Sequence, residues 1–187
     1  MLSTKSPTKE ELAAASGKTV PDLIAPDLKV LFCGINPGLY TAIKGHHFAR
    51  PGNRFWPTLH AAGFTPAKYQ PHQESDLLQL GYGITNVVGR ATASAAELSK
   101  AELIEGGITL VEKVILYQPQ VLALLGLSAY RVAFGKATAA IGLQEQTIGQ
   151  TRLWVLPNPS GLNAHFPPKK LAAIYHELHE YVAQPEG

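Results

Sequence analysis

Short apolar runs, each ended by glycine or proline, alternate along this chain with segments of helical spacing. Residues 30–33, 84–88, 121–125 and 151–156 are such runs, and residues 146–149 are a candidate extra strand. Apolar runs with little alternation are typical of strands covered on both faces of a parallel sheet. Strands alternating with helices predict an α/β fold of three layers, α/β/α, around a central, mostly parallel sheet of about four strands.

Helix signals fill most of the intervals between these strands. Capping boxes at Thr8 and Ser99 predict a short helix near the N-terminus and a long helix that ends at Tyr117. Other helices are predicted over residues 54–62, 75–80, 128–134 and 169–183. Gly106 and Gly107 are each expected to weaken the long helix by roughly 1 kcal/mol relative to alanine.

The polar, glycine-rich stretch from residue 40 to residue 53 is predicted to be a long loop without a regular element. A loop of this length in a compact domain is more often functional than idle.

Length and composition indicate a single globular domain. Of the 187 residues, 45% are hydrophobic and 16% are charged, which is typical of a globular protein with a real core. We expect residues 20–187 to form this one domain and residues 1–19 to be a flexible tail with a short helix. The net charge of +2 permits a nucleic-acid partner without requiring one. Cys33 is the single cysteine, which excludes an internal disulfide. No apolar run approaches membrane-spanning length and no signal-like segment begins the chain, so we expect no membrane partner and a cytoplasmic monomer.

Two Asn-Pro turns follow apolar strands. One is Asn36-Pro37-Gly38 and the other is Asn158-Pro159-Ser160-Gly161. Taken alone, either is an ordinary Asx-Pro turn, but the carboxyl ends of parallel strands meet at one edge of a sheet, where ligands bind. Two such turns on one edge therefore predict a site that holds an uncharged amide, Asn36.

Several other kinds of site are not supported by the sequence. There is no phosphate-binding P-loop and no Rossmann glycine fingerprint, and Ser128 and Ser160 lack the setting of a hydrolase nucleophile. His46 and His47 are adjacent, so their side chains should diverge, and no Cys/His cluster supports a metal ion. We expect no metal and no cofactor.

Four motifs together resemble one family. Residues 34–39 (GINPGL), 53–56 (NRFW), 83–86 (GITN) and 158–162 (NPSGL) resemble, in this order, the mismatch-specific uracil/thymine DNA glycosylases of the uracil-DNA glycosylase superfamily. The resemblance implies a monofunctional, cofactor-free enzyme of base-excision repair. Such an enzyme flips uracil, and in some cases thymine or another damaged pyrimidine, out of G·U-type mismatches in double-stranded DNA and leaves an abasic site. It would be nucleoid-associated when bound to DNA in a bacterial-type cytoplasm.

The resemblance also implies roles for individual residues. Asn36 would position the attacking water, and a wedge would fill the space left by the base and face the widowed guanine. The base pocket would comprise Ile35, Gly38, Thr41, Phe48 and Asn158, and the wedge Gly161, Leu162 and Asn163. Candidate phosphate contacts are Lys44, Arg50, Arg54, Asn86, Arg90 and His165. The plainer alternatives are that Phe48 anchors a loop, that Leu162 is an ordinary buried leucine, and that the scattered basic residues are solvated surface.

The chain departs from the family pattern at two places. Relatives commonly have a basic residue where this chain has Ala164, although His165 follows it. Relatives usually have an acidic residue where this chain has Gly89, and the loop of residues 89–96, which includes Ala93, contains no carboxylate. Three hypotheses follow: a G·U glycosylase, a lesion-binding protein with weak or no catalysis, and a nucleoside enzyme, which would have no use for a wedge.

Overall fold

A five-stranded sheet lies at the centre of the computed structural model, which describes residues 5–184. Its strands are β1 (Val30–Gly34), β2 (Tyr82–Asn86), β3 (Val121–Leu125), β4 (Gly142–Ile148) and β5 (Thr151–Leu156). The strand order is β2-β1-β3-β5-β4, in which β2, β1, β3 and β5 are parallel and β4 is antiparallel to β5.

Helices cover both faces of this sheet. They are α1 (Lys9–Ala14), α2 (Leu39–Lys44), α3 (Phe55–Ala61), α4 (Asp76–Leu80), α5 (Lys100–Tyr117), α6 (Leu127–Ala133) and α7 (Pro168–Ala183). Helices α3, α4 and α7 share one apolar cluster with the sheet, and α5 and α6 share the other. The predicted three-layer α/β/α class is confirmed.

Strand β1 shows why the apolar runs lack alternation. Val30 and Phe32 enter the cluster below α3 and α7, whereas Leu31 and Cys33 enter the cluster below α5. All four are buried, so both faces of the strand must be apolar. The ring of Phe32 meets Phe55 of α3 edge to face, with centroids 5.6 Å apart.

Both predicted capping boxes form. The side chain of Thr8 caps α1 and that of Ser99 caps α5, and each receives the reciprocal glutamate contact. Residues 1–4 of the predicted tail lie outside the described residues. Within residues 5–184, every helix is too short or too polar to cross a lipid bilayer.

The prediction of a long loop without an element over residues 40–53 is wrong at its start, where α2 forms. Gly38 caps the helix in an extended conformation, and Gly45 ends it in the left-handed region at φ 71°. Leu39, Ala42 and Ile43 have helical spacing, but six residues between two glycines carry too short a pattern to be recognised.

The strand predictions need two corrections. Strand β2 covers residues 82–86 rather than 84–88, because it pairs in register with β1 from Val30↔Tyr82 to Gly34↔Asn86. The candidate strand at residues 146–149 is the seven-residue β4, which makes the sheet five-stranded rather than about four-stranded. Strand β4 lies at the sheet edge and its residues alternate in exposure, so its sequence lacks a continuous apolar run.

Gly106 and Gly107 have packing roles in α5 that helix propensity does not reveal. A Cβ atom at position 107 would lie 2.6 Å from the carbonyl oxygen of Ala133 in α6, and one at position 106 would clash with the carbonyl of Val87. The glycines allow α5 to approach its neighbours closely.

We predict that Gly107→Ala lowers the free energy of unfolding by about 1–3 kcal/mol, because the overlap with Ala133 outweighs the gain in helix propensity. Thr109→Ala, at an exposed position of the same helix, is the control and should leave stability nearly unchanged or raise it. Urea unfolding of both variants measures the difference. A Gly107→Ala protein more stable than the parent would contradict the packing role.

Candidate active site

The two Asn-Pro turns lie together at the carboxyl edge of the sheet, as predicted. They line a cavity of about 160 Å³. Its walls come from the ends of β1, β2, β3 and β5, from α2 and from two loops: Gly34, Ile35, Asn36, Pro37, Gly38, Thr41, His47, Phe48, Arg50, Asn53, Asn86, Thr92, Ala93, Ser94, Ala95, Leu125, Asn158, Pro159 and Ser160.

Asn36 is held by its amide nitrogen. Nδ2 donates to the carbonyl oxygen of Arg90 at 3.0 Å and to Oγ1 of Thr92 at 2.7 Å. The Thr92 hydroxyl proton is used on the carbonyl of Ser94 at 2.8 Å, so Thr92 can only accept from Asn36. This network fixes which end of the amide is nitrogen. Within the described chain no group donates to Oδ1, which leaves that oxygen available to a ligand or a water.

Backbone hydrogen bonds hold the turn that carries Asn36. The amide of Val88 donates to the carbonyl of Ile35 at 2.9 Å, and the amide of Thr92 donates to that of Pro37 at 3.2 Å. The loop after β2 therefore extends the pairing of β1 and β2 beyond the sheet. Gly34 lies at the base of this pairing, where a Cβ atom would be 2.6 Å from Oδ1 of Asn86.

Phe48 has a strained backbone, with φ at 53°, which is rare for a bulky residue. One face of its ring stacks on Phe55 with centroids 4.0 Å apart, and its edge approaches Gly34. Such strain persists only where the surroundings over-determine the conformation, often at functional sites. Phe48 is therefore both a loop anchor and part of the pocket wall.

His47 supplies those surroundings. Its amide donates to Glu74 at 2.7 Å, its carbonyl accepts from Nε1 of Trp56 at 3.0 Å, and its Nε2 contacts the carbonyl of Pro21 at 2.8 Å. His46 instead contacts Glu74 through Nδ1 at 3.1 Å. The two rings diverge, as predicted.

The remaining predicted pocket residues also line the cavity. Thr41 is buried, and its hydroxyl accepts from the amide of Ala49 at 3.3 Å. Oδ1 of Asn158 accepts from the amide of Ser160 at 2.9 Å. The side-chain nitrogen of Asn158 has no hydrogen-bond partner among residues 5–184, so it can donate to a ligand. Ile35 directly precedes Asn36, Gly38 caps α2, and both residues line the cavity.

Leu162 stands 81% exposed beside this cavity, so the alternative of an ordinary buried leucine is wrong. It belongs to residues 160–163, which we call the wedge loop. The amide of Leu162 donates to Oγ of Ser160 at 3.2 Å, and Nδ2 of Asn163 donates to the carbonyl of Asn158 at 3.1 Å. These bonds make a tight turn with an apolar tip.

Arg54 holds the wedge loop from below. Its guanidinium donates to the carbonyl oxygens of Gly161, Asn163 and Phe166 at 3.1, 3.1 and 2.9 Å. Gly161 also packs against the backbone of Gly52 so closely that a Cβ atom would overlap it. A phosphate contact by Arg54 stays a prediction, whereas its support of the loop is shown.

Several of the predicted phosphate contacts are charged residues, and one of these is already paired. Arg90 is paired with Glu102 through Nε–Oε1 at 2.5 Å and Nη2–Oε2 at 3.2 Å. The hydrogen bonds from Arg90, and to a smaller extent the hydrogen bond from the Ser99 amide, lower the pKa of Glu102 to about 2. Lys44, Arg50 and His165 are exposed at the surface, and their phosphate contacts, like those of Asn86 and Arg90, stay predictions.

No acidic residue lines the cavity within the described part of the chain. Ala93 lines the cavity and Gly89 is exposed. Residues 89–96 contain no aspartate or glutamate, so this loop offers no carboxylate to the pocket. The Cys33 thiol is buried below the site, and burial raises its pKa, so it is no nucleophile.

Sequence reasoning missed Thr92 and the supporting role of Arg54. Thr92 lies 56 positions from Asn36, and Arg54 lies 107–112 positions from the three carbonyls that it binds. No local pattern connects such partners. A larger cavity of about 630 Å³ opens at the opposite edge of the sheet, near Val121 and Thr151, and none of the predicted site residues lines it.

Comparisons with known proteins identify the family and support the fold. A family model described as the uracil DNA glycosylase superfamily matches residues 21–179. The chain is also similar to the solution NMR structure of "a putative Uracil DNA glycosylase from Methanosarcina acetivorans", with a TM-score of 0.58 and 17% sequence identity over 87% of this chain and 98% of that chain. At this identity the structural match supports the fold alone.

We predict that Arg54→Met, which keeps much of the side-chain length but removes its donors, increases hydrogen exchange at the amides of residues 160–166. The three carbonyls lose their donor, and the wedge loop should open more often. Arg152→Met on the exposed side of β5 is the matched control. Hydrogen-exchange mass spectrometry measures both, and unchanged protection of residues 160–166 in Arg54→Met would contradict the supporting role.

Proposed function

The chain belongs to the uracil DNA glycosylase superfamily, whose members hydrolyse the N-glycosidic bond of damaged DNA, and we propose that it removes uracil from G·U mismatches in duplex DNA. The observation that carries the proposal is the fixed amide of Asn36, whose oxygen is left open toward the pocket. Thymine and other damaged pyrimidines are further candidate substrates.

Asn36 is suited to orient water rather than to remove its proton. An amide oxygen accepts a hydrogen bond from water, but it is too weak a base to deprotonate it. In the proposed step, the water oxygen bonds to C1′, the C1′–N1 bond breaks, and the electron pair leaves with the uracil. The proton lost by the water passes to solvent. Holding the water in place lowers the barrier by orientation.

The cavity suits a single flipped base. Its volume of about 160 Å³ is below the roughly 300–1,000 Å³ of sites for drug-sized ligands. Phe48 supplies an aromatic wall for stacking, the side-chain nitrogen of Asn158 supplies a donor to a base carbonyl, and Thr41 would face C5 of the pyrimidine. Fixed donors of this kind stabilise the negative charge that develops on the departing base.

The wedge loop favours duplex DNA over a free nucleoside. Leu162 is an exposed apolar side chain on a loop whose backbone Arg54 holds at Gly161 and Asn163, so it is able to enter the space left by a flipped base. An enzyme that acts on free nucleosides has no base stack to fill, so the nucleoside hypothesis does not explain the exposure of Leu162.

A second candidate function is lesion binding with weak or no catalysis. One observation favours it: no carboxylate among residues 5–184 lines the pocket. A carboxylate could help to activate water or to stabilise the developing sugar cation, and without one the rate rests on orientation and on stabilisation of the leaving group.

We predict that Asn36→Ala lowers the single-turnover rate of uracil excision from a G·U duplex by at least about 10²-fold, while the Kd for that duplex changes little. The control is Gln150→Ala, another amide-to-alanine change, at the opposite edge of the sheet. Alkali cleavage of end-labelled strands measures excision, and gel retardation measures binding. Excision by Asn36→Ala at the parent rate would refute the assignment.

We predict that Leu162→Ala weakens binding to a G·U duplex by roughly tenfold or more, because a leucine side chain contributes about 1.5–3 kcal/mol on burial. Binding to single-stranded uracil DNA should change less, since a single strand has little stack to fill. Leu143→Ala, at another exposed leucine, on β4, is the matched control. Equal losses on both substrates would remove the argument for a wedge.

A further inference from the structure

Three side chains with metal-ligating atoms converge on α7, outside the candidate active site. They are His176, His179 and Glu180, at positions i, i+3 and i+4 of the helix, and their ligand atoms all lie within 4.8 Å of one another. Nε2 of His176 is 3.6 Å from Oε1 of Glu180, and Nδ1 of His179 is 3.8 Å from the same oxygen. The spacing places all three on one face of the helix.

The hydrogen bonding of His176 leaves the correct nitrogen for a metal ion. Its Nδ1 lies 2.9 Å from the carbonyl oxygen of Ala62, and because a carbonyl only accepts, Nδ1 carries the proton. In the neutral ring, the lone pair is then on Nε2, which faces Glu180. A backbone carbonyl behind the non-ligating nitrogen is the usual support of a metal-binding histidine.

The ring of His179 is packed in place, but its Nδ1, the nitrogen nearest Glu180, has no hydrogen-bond partner among the described residues. Nδ1 is buried and receives no hydrogen bond within the described residues. The ring meets Phe64 edge to face with centroids 5.1 Å apart. It also packs on Gly63, where a Cβ atom would lie 3.2 Å from the ring. A buried polar atom without a partner is costly, and a metal ion would satisfy it.

Contrary to the sequence expectation of no metal, we propose that His176 Nε2, His179 Nδ1 and the Glu180 carboxylate form a Zn²⁺ site with water in the fourth position. Two ligands at about 2.1 Å in a tetrahedron are roughly 3.4 Å apart. The two distances to Glu180 need to shorten by only a few tenths of an ångström, whereas the two histidine nitrogens, which lie within 4.8 Å of each other, need to approach by up to about 1.4 Å, so the proposed site closes by a change of rotamer when zinc binds. Two imidazoles and one carboxylate are a ligand set that suits zinc rather than calcium.

Bound zinc would stabilise the contact between α7 and the end of α3. His176 reaches the carbonyl of Ala62 and His179 packs on Gly63, so fixing both rings joins the two segments. The trio is about 12–18 Å along the helix from Pro168, where α7 begins after the wedge loop. Zinc binding and base excision are therefore separate properties of the chain.

Titration of the chelator-treated, full-length chain with Zn²⁺, followed by calorimetry, tests the proposal. We expect one ion per chain, at least tenfold weaker binding in His176→Gln and in Glu180→Gln, and no binding of Ca²⁺. Glu177→Gln, at the next exposed carboxylate of α7, and His72→Gln, at an exposed histidine elsewhere, are the matched controls and should bind as the parent does.

Thermal unfolding provides a second measurement. Free Zn²⁺ at one hundred times the Kd should raise the Tm of the parent by about 5–10 °C and that of Glu180→Gln much less. The proposal is overturned if the parent binds no zinc, or if His176→Gln and Glu180→Gln bind it as tightly as the parent. Neither result depends on whether the chain excises uracil.

Discussion

The two hydrogen bonds on the Asn36 amide nitrogen are the constraint on which the proposed chemistry depends. An amide has nearly the same shape in either orientation, so its partners decide which atom faces the pocket. The Arg90 carbonyl can only accept, and the Thr92 hydroxyl has committed its proton to Ser94. The oxygen of Asn36 is therefore fixed before any ligand arrives, and little reorganisation is needed when water binds.

The fold maintains this arrangement by placing four parallel strand ends at one edge. Strand β1 delivers Asn36, the loop after β2 delivers Thr92, and β5 leads to Asn158. Because β1 is buried on both faces by the two helix layers, the turn that follows it rests on a rigid base. The wedge loop depends instead on polar bonds from Arg54, so an exposed leucine can be presented without a core beneath it.

Much of this arrangement was predictable, and the exceptions have physical reasons. Buried parallel strands leave continuous apolar runs, so β1, β3 and β5 and the convergence of Asn36 with Asn158 followed from the sequence. Helix α2 and strand β4 did not, because a six-residue helix and a half-exposed edge strand leave weak patterns. The roles of Thr92 and Arg54 arise from partners far away in sequence, which only the folded chain brings together.

The most direct test is single-turnover excision by the unmodified chain on end-labelled strands with uracil in a G·U pair, in an A·U pair and in single-stranded DNA, and with thymine in a G·T pair. We predict an alkali-labile site at uracil, formed fastest in the G·U duplex, at a modest rate because the described pocket holds no carboxylate. Stable retention of the G·U duplex without any alkali-labile product would contradict the glycosylase and favour a lesion-binding protein. Neither binding nor cleavage would contradict both.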